Sequence, residues 1–160
     1  MSTSPAPFDP AELLSRIDMH LHSMPPVAAL AVRIGGYDGD ALRLTAPLSA
    51  NVNDKGCAFG GSLASLMTLA GWGLVTLQIE AAGLHADVFV ADSSVRYRAP
   101  VYVDLEVIAT RDAAADVDWP AFLDMLRSKG RARISIRADC TLADGTVATE
   151  STSRFVAIAR

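Results

Sequence analysis

Between Lys55 and Glu80 the chain runs for 24 residues, 56–79, without a charged side chain. Few environments accept such a segment. About 20 apolar residues span a bilayer, whereas a helix that is apolar all round can be buried in a protein core. The run contains Gly56, Gly60, Gly61, Gly71 and Gly73 with Ser62, Ser65, Thr68, Thr76 and Gln78. It is therefore poor in the large aliphatic residues that face lipid. No Lys/Arg cluster marks one flank and no aromatic belt frames its ends. The expectation is a helix enclosed by its own fold, with no membrane contact.

A chain of 160 residues with 51% hydrophobic side chains is long enough for one domain with a real core. Fourteen Lys and Arg against eighteen Asp and Glu give a net charge of -4, with no basic patch for nucleic acid. Two cysteines, Cys57 and Cys140, are too few for a disulfide framework. The first residues show no basic segment followed by an apolar one, so no signal peptide is read and a cytoplasmic protein is expected.

Along the chain, 1–26 reads as a tail and a helix. Asp9 is the expected N-cap, Pro10 the first helical residue, and Phe8 with Leu13 a hydrophobic staple. Leu13, Leu14, Ile17 and Leu21 form the buried stripe, and Pro25-Pro26 is expected to end the helix. Residues 27–34 are apolar and strand-length, and with the turn at 35–40 and the alternation Leu42, Arg43, Leu44, Thr45 they predict a hairpin. A loop at 47–61 leads into a helix from about 60 to 82, capped by Gly83. Strands are predicted at 87–98, 101–107, 132–140 and 146–158. Between the second and third of these, Trp119, Phe122, Leu123 and Leu126 mark a short amphipathic helix between Asp118 and Gly130. The fold class is α+β: residues 27–160 form one domain in which an antiparallel sheet wraps around a long central helix. Five or six strands cannot close a good barrel, so their edges call for a second subunit, giving a homodimer or a tetramer of dimers.

Chemistry concentrates in the loop entering the long helix, from Asn51 to Ser62. Gly60 and Gly61 at a helix start let a ligand approach the backbone, where free N–H groups and the helix dipole favour negative charge. Donors in that position suit the oxyanion that forms when a thioester carbonyl is attacked. Close helix–sheet packing is the competing explanation of the same glycines.

The loop and the order of elements resemble the hotdog-fold superfamily. Asn53, Gly56, Gly60 and Gly61 match the Asn-x-x-Gly-x-x-His-Gly-Gly pattern of PaaI-like hotdog thioesterases, with Phe59 in the place of the His. Tyr97, Pro100 and Asp104 look like that branch's Tyr-x-x-Pro…Asp. More narrowly, residues 47–73, with their Asn-Asp-Lys-Gly, Phe-Gly-Gly-Ser-Leu and Ala-Gly-Trp-Gly pieces, are similar to the YiiD C-terminal family of thioesterases. The resemblance implies a hotdog fold and hydrolysis of acyl-CoA or acyl-ACP thioesters. No cofactor is implied beyond the coenzyme A or phosphopantetheine of the substrate.

One departure matters. Seven residues after the second glycine, PaaI-like enzymes place an Asp or Glu on the helix, and this chain has Thr68. A Thr hydroxyl does not change protonation near neutral pH and is a poor general base. The expected roles are therefore divided. Gly60 and Gly61 polarise the carbonyl, Asn53 or Asp54 positions water, and Asp92 or Asp54 is the base. Phe59, Ser62, Ser65, Thr68, Ser93, Ser94 and Arg96 contact the substrate. Arg96 and Arg98 meet the phosphates of coenzyme A or lie on a solvated strand face. Cys57 reads as a small loop residue, and Leu66, Met67 and Trp72 as core. His20, His22 and His85 do not converge, so no metal site is expected. The alternative function is a non-catalytic acyl-thioester-binding module.

Overall fold

In the computed structural model, which describes residues 9–160, the chain order is helix α1 (Pro10–Ser23), helix α2 (Pro25–Leu30), strands β1 (Arg33–Tyr37) and β2 (Ala41–Ala46), helix α3 (Gly60–Ala81), strands β3 (Ala86–Tyr97) and β4 (Leu105–Arg111), helix α4 (Trp119–Lys129), and strands β5 (Arg131–Thr141) and β6 (Val147–Ala159). The tail and the Phe8 half of the expected staple lie outside the described residues. Every strand pairing is antiparallel, and the sheet order is β1-β2-β4-β5-β6-β3. One face of the sheet wraps α3, which is the hotdog arrangement.

The uncharged run is α3. It is long and apolar enough to cross a membrane, but 61% of its most apolar window is buried within the fold. Its glycines show how. A Cβ at Gly71 would lie 2.6 Å from the Phe155 ring, and one at Gly73 would lie 2.7 Å from Leu42 Cδ2. Side chains of the sheet press so closely on the helix backbone that a Cβ at either position would force them to shift. Leu44, Val107, Ala109, Ile134 and Ile136 complete the inner face. At the far end Gly83, at φ 72°, closes a Schellman motif: its N–H reaches the Glu80 carbonyl at 2.9 Å and the Leu84 N–H reaches that of Ile79 at 3.1 Å.

Leu13, Ile17 and Leu21 of α1 enter this same core, as do Phe122 and Leu126 of α4. Asp9 caps α1 through Ala11 N at 3.0 Å, and Asp118 caps α4 through Ala121 N at 2.9 Å.

Two sequence expectations are corrected. Pro25-Pro26 does not merely end α1; it opens α2, because proline in a first helical turn has no N–H to lose and its φ is already helical. The apolar stretch expected as a strand from residue 27 is therefore helical to Leu30, and the strand begins only at Arg33. The strand expected at 101–107 begins at Leu105. The segment before it serves other contacts: the Val101 carbonyl accepts from Ala58 N at 2.7 Å and the Asp104 carboxylate from Leu48 N at 2.9 Å.

The two sheet edges differ. β1 has five residues and includes Gly35-Gly36, with a register shift between Ile34 and Gly36. β3 has twelve residues and leaves Phe89, Val90 and Tyr97 exposed. A bulge between Val90 and Asp92 exchanges the faces of β3 halfway along. Before it, Val88 and Val90 share the sheet face of their partners Ala157 and Phe155, and Val88 packs on the core while Val90 stays exposed. After it, Ser93, Val95 and Tyr97 face the helix, and Asp92, Ser94 and Arg96 face away.

Candidate active site

The loop before α3 is a small hairpin closed by a bridge between Val52 and Ala58, with Gly56 in the left-handed region at φ 80°. Asn53 holds it together. Its Oδ1 accepts from Lys55 N at 2.8 Å and Cys57 N at 3.2 Å, and its Nδ2 donates to Cys57 Sγ at 3.3 Å. Asn53 thus spends its polar atoms on the loop. Asp54 sits at the tip, 80% exposed and paired with Lys55 Nζ at 2.9 Å. Asn51, which sequence reasoning did not single out, is buried and ties the loop to α2. Its Nδ2 donates to the carbonyls of Leu30 at 2.9 Å and Pro47 at 2.8 Å, and its own carbonyl accepts from Phe59 N at 2.7 Å.

Phe59 is the N-cap residue of α3, with extended backbone and no side-chain cap. The first helical bond runs from Leu63 N to Phe59 O at 3.1 Å, so the N–H groups of Gly60, Gly61 and Ser62 have no acceptor within the helix. Only the exposed Phe59 ring lies over Gly61, and it stands where a Cβ would be, 2.5 Å from the nearest ring atom.

Gly61 and Ser62 line a groove of about 600 Å³ between α2 and the first turns of α3. Pro26, Val27, Leu30 and Leu69 make its walls apolar, while Gly61, Ser62, Ser65 and Thr68 supply its polar edge. Five of the predicted residues, Phe59, Gly61, Ser62, Ser65 and Thr68, therefore meet in one place. The Thr68 hydroxyl donates to the Ala64 carbonyl at 2.9 Å, and no carboxylate lines the groove.

Gly60 faces a neighbouring hollow with Tyr97, Arg98 and Pro100, and its carbonyl accepts from the Tyr97 hydroxyl at 2.9 Å. The remaining candidates lie elsewhere. Asp92 is on the outer face of the sheet, where Arg154 Nε donates to it at 3.0 Å. Ser94 and Arg96 share that face with Arg137 and Glu150. Arg98 pairs with Glu150 at 2.7 Å and holds that carboxyl below its ordinary range. Ser93 is on the helix side, its hydroxyl 2.8 Å from that of Ser153. The structure of one chain thus separates Asp92, Ser94 and Arg96 from the donors by the thickness of the sheet.

Sequence reasoning assigned Trp72 to the core. Trp72 does pack on the core, half-buried, and it also lines a second cavity of about 390 Å³ between α1, α3 and β3, on the helix stripe of Gly61, Ser65 and Thr68. Among the described residues no group of three His, Cys, Asp or Glu is placed to hold a metal ion.

Solved structures of similar shape include a protein of unknown function from Chlorobaculum tepidum TLS, at 28% identity and TM-score 0.87, covering 98% of this chain and 100% of that one. A protein described as the "putative thioesterase" from Shewanella oneidensis shares 28% identity at TM-score 0.80, covering 92% and 99%. A Pseudomonas aeruginosa protein described as a "probable thioesterase" shares the fold at 20% identity and TM-score 0.76, covering 96% and 98%. The family described as "Putative thioesterase (yiiD_Cterm)" matches residues 14–159. With nearly its whole length matched, and with an unpaired helix start opening into an apolar groove, the chain belongs to the YiiD C-terminal thioesterase family.

Proposed function

We propose that the protein hydrolyses an acyl thioester of coenzyme A or of acyl carrier protein, in the cytoplasm and as a homodimer or a larger assembly of such dimers. The observation that carries this is the junction of two unlike surfaces: a groove with apolar walls ends at backbone N–H groups that lack acceptors. The acyl chain lies against Pro26, Leu30 and Leu69. The carbonyl oxygen accepts from the N–H groups of Gly61 and Ser62, with Gly60 beside them. Charge that builds on that oxygen during attack meets donors already in place and the positive end of a 22-residue helix. The pantetheine arm leaves past Phe59.

Dimerisation through β3 is supported by the length and apolar exposure of that edge. Asp54 belongs to the loop that leads into the donors and needs only to release Lys55 to act on water. Asp92 has the sheet between it and the donors.

The absence of a carboxylate from the groove, with the Thr68 hydroxyl committed to Ala64, favours one second reading, a module that binds acyl thioesters without cleaving them. Thiol release from acyl-CoA and acyl-carrier substrates of graded chain length separates the two. Release above background supports the hydrolase, and saturable acyl-CoA binding without release supports the module.

A further inference from the structure

We infer that the catalytic base is His20, supplied by one copy of the chain to the thioester bound at the α3 start of the other. The inference rests on the hydrolase proposed above. It begins with the cavity between α1, α3 and β3. There the His20 ring stacks on Trp72, with centroids 5.1 Å apart and planes at 16°. The charged groups facing the cavity neutralise one another: Arg16 of α1 pairs with Glu80 of α3 at 2.9 Å, and Arg160 pairs with Asp87 of β3 at 2.8 Å. The Thr76 hydroxyl donates to the Trp72 carbonyl at 2.9 Å. Among the described residues the His20 imidazole makes no hydrogen bond, and it is the one imidazole lining the cavity.

Strand direction then relates this cavity to the donors. Tyr97, the last residue of β3, is bonded to Gly60, the first residue of α3. Asp87, Val88 and Phe89, at the other end of β3, line the cavity. A two-fold axis that extends the sheet through β3 runs the two copies of that strand antiparallel. It sets the Tyr97 end of one copy against the Ala86 end of the other. The donors of one chain arrive at the cavity mouth of its partner. The α3 surface agrees, since Gly61, Ser65, Thr68, Trp72 and Thr76 lie along one stripe, with the groove at its start and the cavity further on. Two such stripes laid antiparallel join groove to cavity twice.

In the proposed step His20 Nε2 or Nδ1 takes a proton from water as the water oxygen bonds to the thioester carbonyl carbon. The carbonyl electron pair moves onto the oxygen held by the Gly61 and Ser62 N–H groups. It returns as the C–S bond breaks, and the leaving thiolate takes the proton from the imidazolium. The products are one carboxylic acid and one thiol.

The test uses the full chain and measures thiol release. His20→Asn is expected to lower kcat by roughly 10²- to 10⁴-fold, with KM within a few-fold and dimer mass unchanged, and to change the shape of the kcat–pH profile. The decisive measurement pairs His20→Asn with Gly61→Val, each inactive alone, as a doubly tagged mixed dimer. A shared site leaves one of its two sites intact and restores about half of the wild-type rate per dimer; Gly61→Ala replaces the valine variant if that one does not fold. An active wild type with an equally active His20→Asn, or a mixed dimer without recovery, overturns the role of His20 and leaves the hydrolase standing. A wild type that releases no thiol from any acyl substrate overturns both.

Discussion

The Tyr97 hydroxyl donates to the Gly60 carbonyl at 2.9 Å, joining the last residue of β3 to the first residue of α3. The edge strand thereby fixes the angle at which the helix presents its free N–H groups. Tyr97→Phe keeps the ring and deletes the bond. A net loss of about 1 kcal/mol in urea unfolding is expected from one hydrogen bond. Thiol release should fall several-fold, because donors that are misaimed stabilise an oxyanion poorly. A variant destabilised to that extent with unchanged kcat would limit Tyr97 to a structural role.

The glycines of α3 should respond unequally to alanine. At Gly71 the new Cβ would meet the buried Phe155 ring at 2.6 Å, and overpacking of a core costs about 1–3 kcal/mol. The gain in helix propensity, about 1 kcal/mol, recovers only part of this. At Gly61 the Cβ would meet the Phe59 ring at 2.5 Å, but that ring is 56% exposed and can swing away. Gly71→Ala is therefore expected to lower the melting temperature, and Phe155→Leu in the same chain to recover part of it. Gly61→Ala should melt no lower than wild type and lose activity. Equal melting losses at both sites would contradict the packing described.

Those same glycines show how far the sequence could be read. An uncharged run rich in Gly and Ser pointed to a helix enclosed by a sheet, because nothing else in a chain of this composition could cover it. Alternation in β5 and β6 gave the sheet its covered face. Pro25-Pro26 was misread because proline at a helix start and proline after a helix end look alike without the neighbouring backbone. Asp92 stood out as polar in an apolar strand, yet the bulge after Val90 turns it to the outer face, and a bulge leaves no period of its own to read. Stacking of His20 on Trp72 spans 52 residues of chain and follows only from how α1 packs on α3.

One buried and one half-buried acid should make the fold sensitive to alkali. Burial raises the Cys140 thiol above its ordinary 9.0, and burial with Asp40 and Asp38 raises the Tyr37 phenol above its ordinary 10.0. A raised pKa means that the folded state keeps a proton the unfolded state releases. The associated stability is present below the unfolded pKa and is lost as pH rises through the folded one. The urea midpoint is therefore expected to decline as pH climbs past about 9, and Cys140→Ala should flatten the first part of that decline. Alkylation of Cys140 by iodoacetamide at pH 8 should be slow until the protein is unfolded. Rapid native-state labelling of Cys140 would show that the thiol is reachable and the burial incomplete.

Ala91 offers a way to break a β3-to-β3 dimer without touching the chain's own sheet. It is the extra residue of the bulge, exposed and outside the register that pairs β3 with β6. It also lies near the middle of the twelve-residue strand, where a two-fold through full-length pairing would pass. Ala91→Lys would set two like charges against each other there, a destabilising arrangement across paired strands. Light scattering should then report a monomer with an unchanged far-ultraviolet spectrum. Activity should fall at least tenfold, since the donors of one chain would no longer face the His20 cavity of another. A variant that stays dimeric would place the interface elsewhere. A monomer with full activity would show that one chain carries a complete site.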